Sequence, residues 1–151
     1  MAEIDISVVS LNCNGLGDDA KRVAVFKNLR KKSGIFLLQE THSTSATEQK
    51  WIRQWGCKNI YFSHGTSNQN GVVIAITSDY DMTIQNIWKD EHGRFIVLDL
   101  VRNGVCYTIG NLYAPTRNHE IEQQDIFKAF TECLENASRE HVIIGGIIIY
   151  I

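Results

Sequence analysis

Four side chains stand at the ends of apolar runs, where a strand hands over to a loop. "VVSLNCNG" closes on Asn12 and Asn14, "IFLLQE" on Glu40, and "GNLYAPT" carries Tyr113 just ahead of Pro115. A carboxylate just past a buried strand suits a hard cation, since Mg²⁺ takes oxygen ligands and often only one or two carboxylates besides substrate phosphates. Two asparagines spaced by one residue on an extended strand point the same way, so their amides would face one pocket. A strand-end phenol can hydrogen-bond a phosphate oxygen. Each has an ordinary counterpart: Asn14-Gly15 as a turn, Glu40 as a loop-edge glutamate, Tyr113 as amphipathic packing. His42, two residues past Glu40, is a weaker candidate, and the other histidines receive no role.

The elements that would position these groups follow from periodicity. Ile4 to Leu11 reads as a first strand, "GIFLLQE" as a buried strand ending at Glu40, and "NIYFSHG" and "GVVIAIT" as strands flanking the polar loop "TSNQN". Asp18 or Asp19 caps a helix through Lys32, with Val23, Phe26 and Leu29 at core spacing. Its basic residues Lys21, Arg22, Lys27, Arg30, Lys31 and Lys32 read as a solvated face, with phosphate contact as the alternative. "TEQKWIRQWG" is a short helix with Trp51 and Trp55 one turn apart, and Asn118 to Ala137 a longer one with Ile126, Phe130, Leu134 and Ala137 on one face. Past Met82 the chain reads as consecutive strands with turns at "DEHGRF" and "RNG", and Asn-Gly favours a primed hairpin turn. "HVIIGG" is a final buried strand, so the whole is a layered α/β or α+β sandwich.

Composition bounds the rest. The chain has 151 residues, 44% hydrophobic and 21% charged, with a formal net charge of -2, which suits one globular domain with a real core. A polyanionic partner would have to be met by a local patch or a metal. The four cysteines form no C-x-x-C pair, and no secretory signal precedes them. Free thiols in a reducing compartment are therefore expected, nuclear or cytoplasmic and not secreted. The apolar tail is half of the roughly 20 residues a spanning helix needs, so no membrane role is expected.

"SLNCNGLG", "LLQETH", "NQNGVVIAI", "GRFIVLDL", "IGNLYAPT" and "HVIIGG" occur in this order with sensible gaps. The series resembles the endonuclease/exonuclease/phosphatase family of metal-dependent phosphodiesterases, and in "QETH" and "NLYAPT" its LINE-type retrotransposon branch. The resemblance implies a four-layered α/β sandwich, two packed β-sheets flanked by helices, with the site at one end of the sheets. It implies that Glu40 binds Mg²⁺ (or Mn²⁺), that Asn12 and Asn14 help place metal and phosphate, and that Tyr113 contacts the scissile phosphate of DNA. His42, Asn70 and Thr116 follow as substrate contacts, Thr116 standing where relatives often have asparagine.

The same resemblance implies an Asp-x-Asn motif after "HVIIGG", where this chain has Ile147, Ile148 and Ile149, and a later Ser-Asp-His segment that is absent. The expectation is therefore a partial domain, matching the family over 4–146 with an aberrant tail at 147–151, as a frameshift or a misplaced exon would give. Without its acid/base groups it should lose several orders of magnitude in rate. Three functional readings follow: a catalytically impaired retrotransposon-type DNA endonuclease, an abasic-site or other phosphodiesterase of the same fold, and a non-catalytic nucleic-acid-binding remnant.

Overall fold

In a computed structural model, which describes residues 6–114, 120–137 and 141–148, alternation of side chains within the strands builds four layers. The first sheet has the order β1-β2-β4-β3, from β1 (Val8–Asn12), β2 (Ile35–Gln39), β3 (Asn59–Ser63) and β4 (Val72–Ile76). The second has the order β5-β6-β7-β8, from β5 (Thr83–Lys89), β6 (Phe95–Arg102), β7 (Val105–Ala114) and β8 (His141–Ile148). Ile35 and Leu37 turn inward, beside Ile74 of the neighbouring strand, against Leu98 and Ile109 of the facing sheet. Phe36 and Leu38, the intervening residues, turn outward onto helices α1 (Asp19–Arg30) and α2 (Glu48–Trp55). Phe95, Val97 and Leu112 pack outward on Ile126 and Phe130 of α3 (Glu120–Asn136).

Both sheets are mixed, and by the same rule. β1 and β2 run parallel, as do β7 and β8, while the other pairs are antiparallel. Parallel neighbours need a crossover, which α1 and α3 supply. The "RNG" hairpin is as expected: Asn103 and Gly104 have φ of 52° and 76°, the two left-handed residues of a primed turn. Asp18 caps α1, its carboxylate accepting from Lys21 N at 2.8 Å. The longer helix is described from Glu120, and Asn118 and the strand start at Ile4 lie outside the described residues. No helix among the described residues is long and apolar enough to cross a membrane.

Three expectations are corrected. "HVIIGG" is not a buried strand: β8 lies at the edge of its sheet, with Val142 46% and Ile144 52% exposed. Val23 is not core but 44% exposed, and the position one turn before Phe26 is taken by Arg22, 2% exposed. Nor is the basic run all solvated. Arg22 donates to Leu16 O at 2.8 Å and Gln54 Oε1 at 2.7 Å, pairs with Asp19, and sits over the Trp51 ring at 4.9 Å. Arg30 donates to the backbone oxygens of Gln54 and Trp55. Guanidinium groups that satisfy buried carbonyls hold α1, α2 and the loop between β1 and α1 together.

Arg22→Ala should therefore cost about 2–4 kcal/mol by urea denaturation, because it strips donors from buried carbonyls and packing from Trp51. Val23→Ser should change stability by less than about 0.5 kcal/mol. Equal losses in the two variants would contradict this arrangement.

Candidate active site

By strand alternation Glu40 belongs to the outward set of Phe36 and Leu38, facing the helices. It does not go there. β2 ends at Gln39, and Glu40 has a φ of 49°, in the left-handed region. Its carboxylate turns instead to the other sheet, where Tyr113 Oη donates to Glu40 Oε1 at 2.7 Å. Burial, and then the bond to the Glu40 carboxylate, push the Tyr113 phenol well above the ordinary tyrosine range. Tyr113 is thus a neutral donor, and one Glu40 oxygen is oriented by it.

Six non-glycine described residues have positive φ, and four of them are Asn14, Glu40, His42 and Asn70. Such conformations cost about 1–3 kcal/mol each and persist where surroundings over-determine them. Here the surroundings are a backbone lattice at the carboxyl ends of β1 and β2. Cys13 N donates to Gln39 O, Gly15 N to Glu40 O at 2.7 Å, and Leu16 N to Thr41 O. On the other side Thr41 N donates to Gly71 O and His42 N to Asn70 O. The segment 40–42 is held between both flanks.

Asn12 is exposed, and its Oδ1 accepts from Asn14 N at 3.0 Å. The strand ends there, so Asn12 and Asn14 are not related as neighbours on an extended strand; Asn14-Gly15 is a turn placed at the site. His42 Nδ1 lies 2.9 Å from where a Gly15 Cβ would be, so only glycine leaves room for that ring. Asn70 Nδ2 donates to His92 O at 3.2 Å, tying its loop to the β5–β6 turn. Thr116 lies outside the described residues.

Sequence reasoning missed two groups. Gln39 and Asn111 form a buried amide pair between the sheets, Gln39 Nε2 donating to Asn111 Oδ1 at 2.9 Å. A polar residue at an inward position of an apolar strand was the available signal. His64 bridges Ser43 Oγ at 3.1 Å and Glu48 Oε1 at 3.2 Å, on the wall of an open cleft of about 650 Å³. Only tertiary contact reveals that link. Burial pushes the Cys13 thiol up to about 12, away from the reactive thiolate form.

Among the described residues no group of three or more His, Cys, Asp or Glu side chains is placed for a metal. The donors at hand are nonetheless hard oxygens, the Glu40 carboxylate and the Asn12 amide, which fit the sparse protein ligation of Mg²⁺.

Residues 9–146 match the Endonuclease/Exonuclease/phosphatase family. The chain is 29% identical over 143 residues to the Transposon TX1 uncharacterized 149 kDa protein of Xenopus laevis, spanning 93% of this chain and 11% of that one. Among solved structures it superposes on the AP endonuclease LMAP from Leishmania major with a TM-score of 0.63 and 14% identity, over 92% of this chain and 54% of that one. It superposes on D. rerio TDP2 complexed with single strand DNA product with a TM-score of 0.62 and 14% identity, over 93% and 59%. These likenesses show the four-layered fold.

The Tyr113–Glu40 contact sets an alkaline signature. Free tyrosine ionises near pH 10; in ¹³C-tyrosine NMR the resonance lost in Tyr113→Phe should titrate later, and Glu40→Gln should bring it down. Because the folded value is raised, its stabilising contribution is complete below about pH 10 and is lost as pH climbs beyond. An unchanged titration in Glu40→Gln would mean that the carboxylate does not touch the phenol.

Proposed function

Because the chain belongs to the endonuclease/exonuclease/phosphatase family, we propose that it carries the metal- and phosphate-positioning part of a DNA-nicking endonuclease of retrotransposon type. The observation that carries this reading is the Tyr113–Glu40 bond at 2.7 Å, which joins two candidate residues 73 positions apart. The transposon relative, at 29% identity, supports it over a repair enzyme, since the AP endonuclease likeness stands at 14%.

In this reading Glu40, with the exposed Asn12 amide, holds Mg²⁺. The ion, when bound, neutralises charge on the phosphoryl oxygens. Tyr113 keeps its proton, orients the Glu40 carboxylate and presents a hydroxyl at the edge of the site, where a phosphate oxygen can share it. Asn14 and His42, beside Glu40 on the backbone lattice, line the approach of the DNA strand, and Asn70 braces it.

Hydrolysis also needs a base for water and an acid for the leaving oxygen. β8 runs beside β7 as far as Ile148, with Ile147 in register with Tyr113, and the sequence there offers isoleucines, which bring no such group. The 151-residue chain is therefore proposed to bind metal and DNA weakly and to cleave poorly. It spans 11% of its transposon relative and little more than half of the solved relatives named above.

The test pairs metal binding with supercoiled-plasmid nicking. Mn²⁺ should bind by electron paramagnetic resonance, and Glu40→Ala should weaken binding at least about tenfold. Nicking should be slight, abolished by EDTA and absent in Glu40→Ala. Metal binding without nicking by a well-folded chain would identify a non-catalytic remnant. Neither binding nor nicking would overturn the proposal.

A further inference from the structure

We propose that Asn111 and Gln39 are positioning residues, a buried amide pair that sets the Glu40 carboxylate against Tyr113. This rests on the reading of Glu40 and Tyr113 as site residues.

Asn111 is fully buried, and every polar atom of its side chain is engaged. Nδ2 donates to Leu38 O at 3.1 Å and Val73 O at 2.9 Å, and Oδ1 accepts from Gln39 Nε2. Leu38 and Val73 form the last registered pair between β2 and β4. A side chain from the second sheet thus closes the end of a ladder in the first. Only a short amide offers two donors and an acceptor together; aspartate would bring no donor, and leucine nothing.

Gln39 Nε2 also donates to Ser10 Oγ and Leu37 O, both at 3.0 Å, while its buried Oε1 has no partner among the described residues. An unpaired buried acceptor is unfavourable. Gln39 keeps this orientation despite it because its amide hydrogens are held by Asn111 and the neighbouring oxygens.

The spacing links this pair to the site. Asn111 and Tyr113 are successive inward residues of β7, roughly 6.6 Å apart along the strand. They reach two consecutive residues of the first sheet, Asn111 taking Gln39 and Tyr113 taking Glu40. Consecutive residues present to one neighbour only if the chain leaves the extended conformation between them, and Glu40 does so at a φ of 49°. Once Asn111 holds Gln39, the turn at Glu40 has its starting point.

Asn111→Leu and Gln39→Met test this, with Ile109→Val, an inward neighbour on the same strand without polar atoms, as the control for lost stability. The readouts are the neutral-pH ¹³Cζ resonance of Tyr113, which reports its hydrogen bond to Glu40, and the Glu40-dependent Mn²⁺ affinity, each on protein shown folded by circular dichroism. Asn111→Leu and Gln39→Met should move that resonance to the position it takes in Glu40→Gln and weaken Mn²⁺ by about tenfold or more; Ile109→Val should move neither. If Asn111→Leu does not fold, Gln39→Met decides, since it removes an unpaired acceptor along with the donor. A folded variant with a lower urea midpoint but the wild-type Tyr113 resonance would overturn the proposal and leave the pair a structural pin. If wild-type protein lacks Glu40-dependent Mn²⁺ binding, the proposed function fails, while the Tyr113 resonance still decides the positioning role.

Discussion

A single left-handed residue organises this end of the molecule. Extended β2 would send Glu40 toward the helices, into the apolar layer of Phe36, Leu38 and Trp51. A carboxylate buried there without a partner would carry a large desolvation penalty. The positive φ at Glu40 reverses its direction and delivers it to Tyr113 on the opposite sheet. Everything around it holds that reversal: Gly15 N on Glu40 O, Thr41 N on Gly71 O, and Gln39 anchored to Asn111.

The remainder of the fold makes this local geometry affordable by keeping the sheets in fixed relation. The inner core, Ile35, Leu37, Ile74, Leu98 and Ile109 among others, supplies adhesion without direction, since apolar burial is proportional to area and does not specify register. Asn111 supplies the direction, because hydrogen bonds to Leu38 O and Val73 O can form at one relative placement of the sheets. The outer layers rely on a similar division of labour. Phe26, Trp51 and Trp55 give area, and Arg22 fixes how α1 and α2 meet through its bonds to Leu16 O and Gln54.

Chemically the described site is sparse. It has one oriented carboxylate, a neutral phenol, exposed Asn12 and a half-buried imidazole at His42. Ile147, in register with Tyr113, adds no ionisable group to them. A shared fold does not by itself carry an activity, which depends on the groups its site brings together.

Hydrophobic periodicity was enough to find β2, β4, the β6–β7 hairpin and the amphipathic face of α3, because period and turn chemistry are local properties of the chain. The order of the short motifs identified the family and, through it, Glu40 and Tyr113. Helical periodicity misled where a residue could satisfy its neighbours in an unexpected way: Val23 has core spacing, yet Arg22 fills the core because carbonyls of the β1–α1 loop need its donors. β8 reads as buried from its isoleucines, although burial depends on what lies beside a strand, and β8 is an edge among the described residues. Local sequence thus determined the elements and the candidate side chains. Only the tertiary structure decided that Glu40 turns toward Tyr113 and that Asn111 and Gln39 stand behind them, because those contacts join residues more than 70 positions apart and rest on one φ angle that no periodicity encodes.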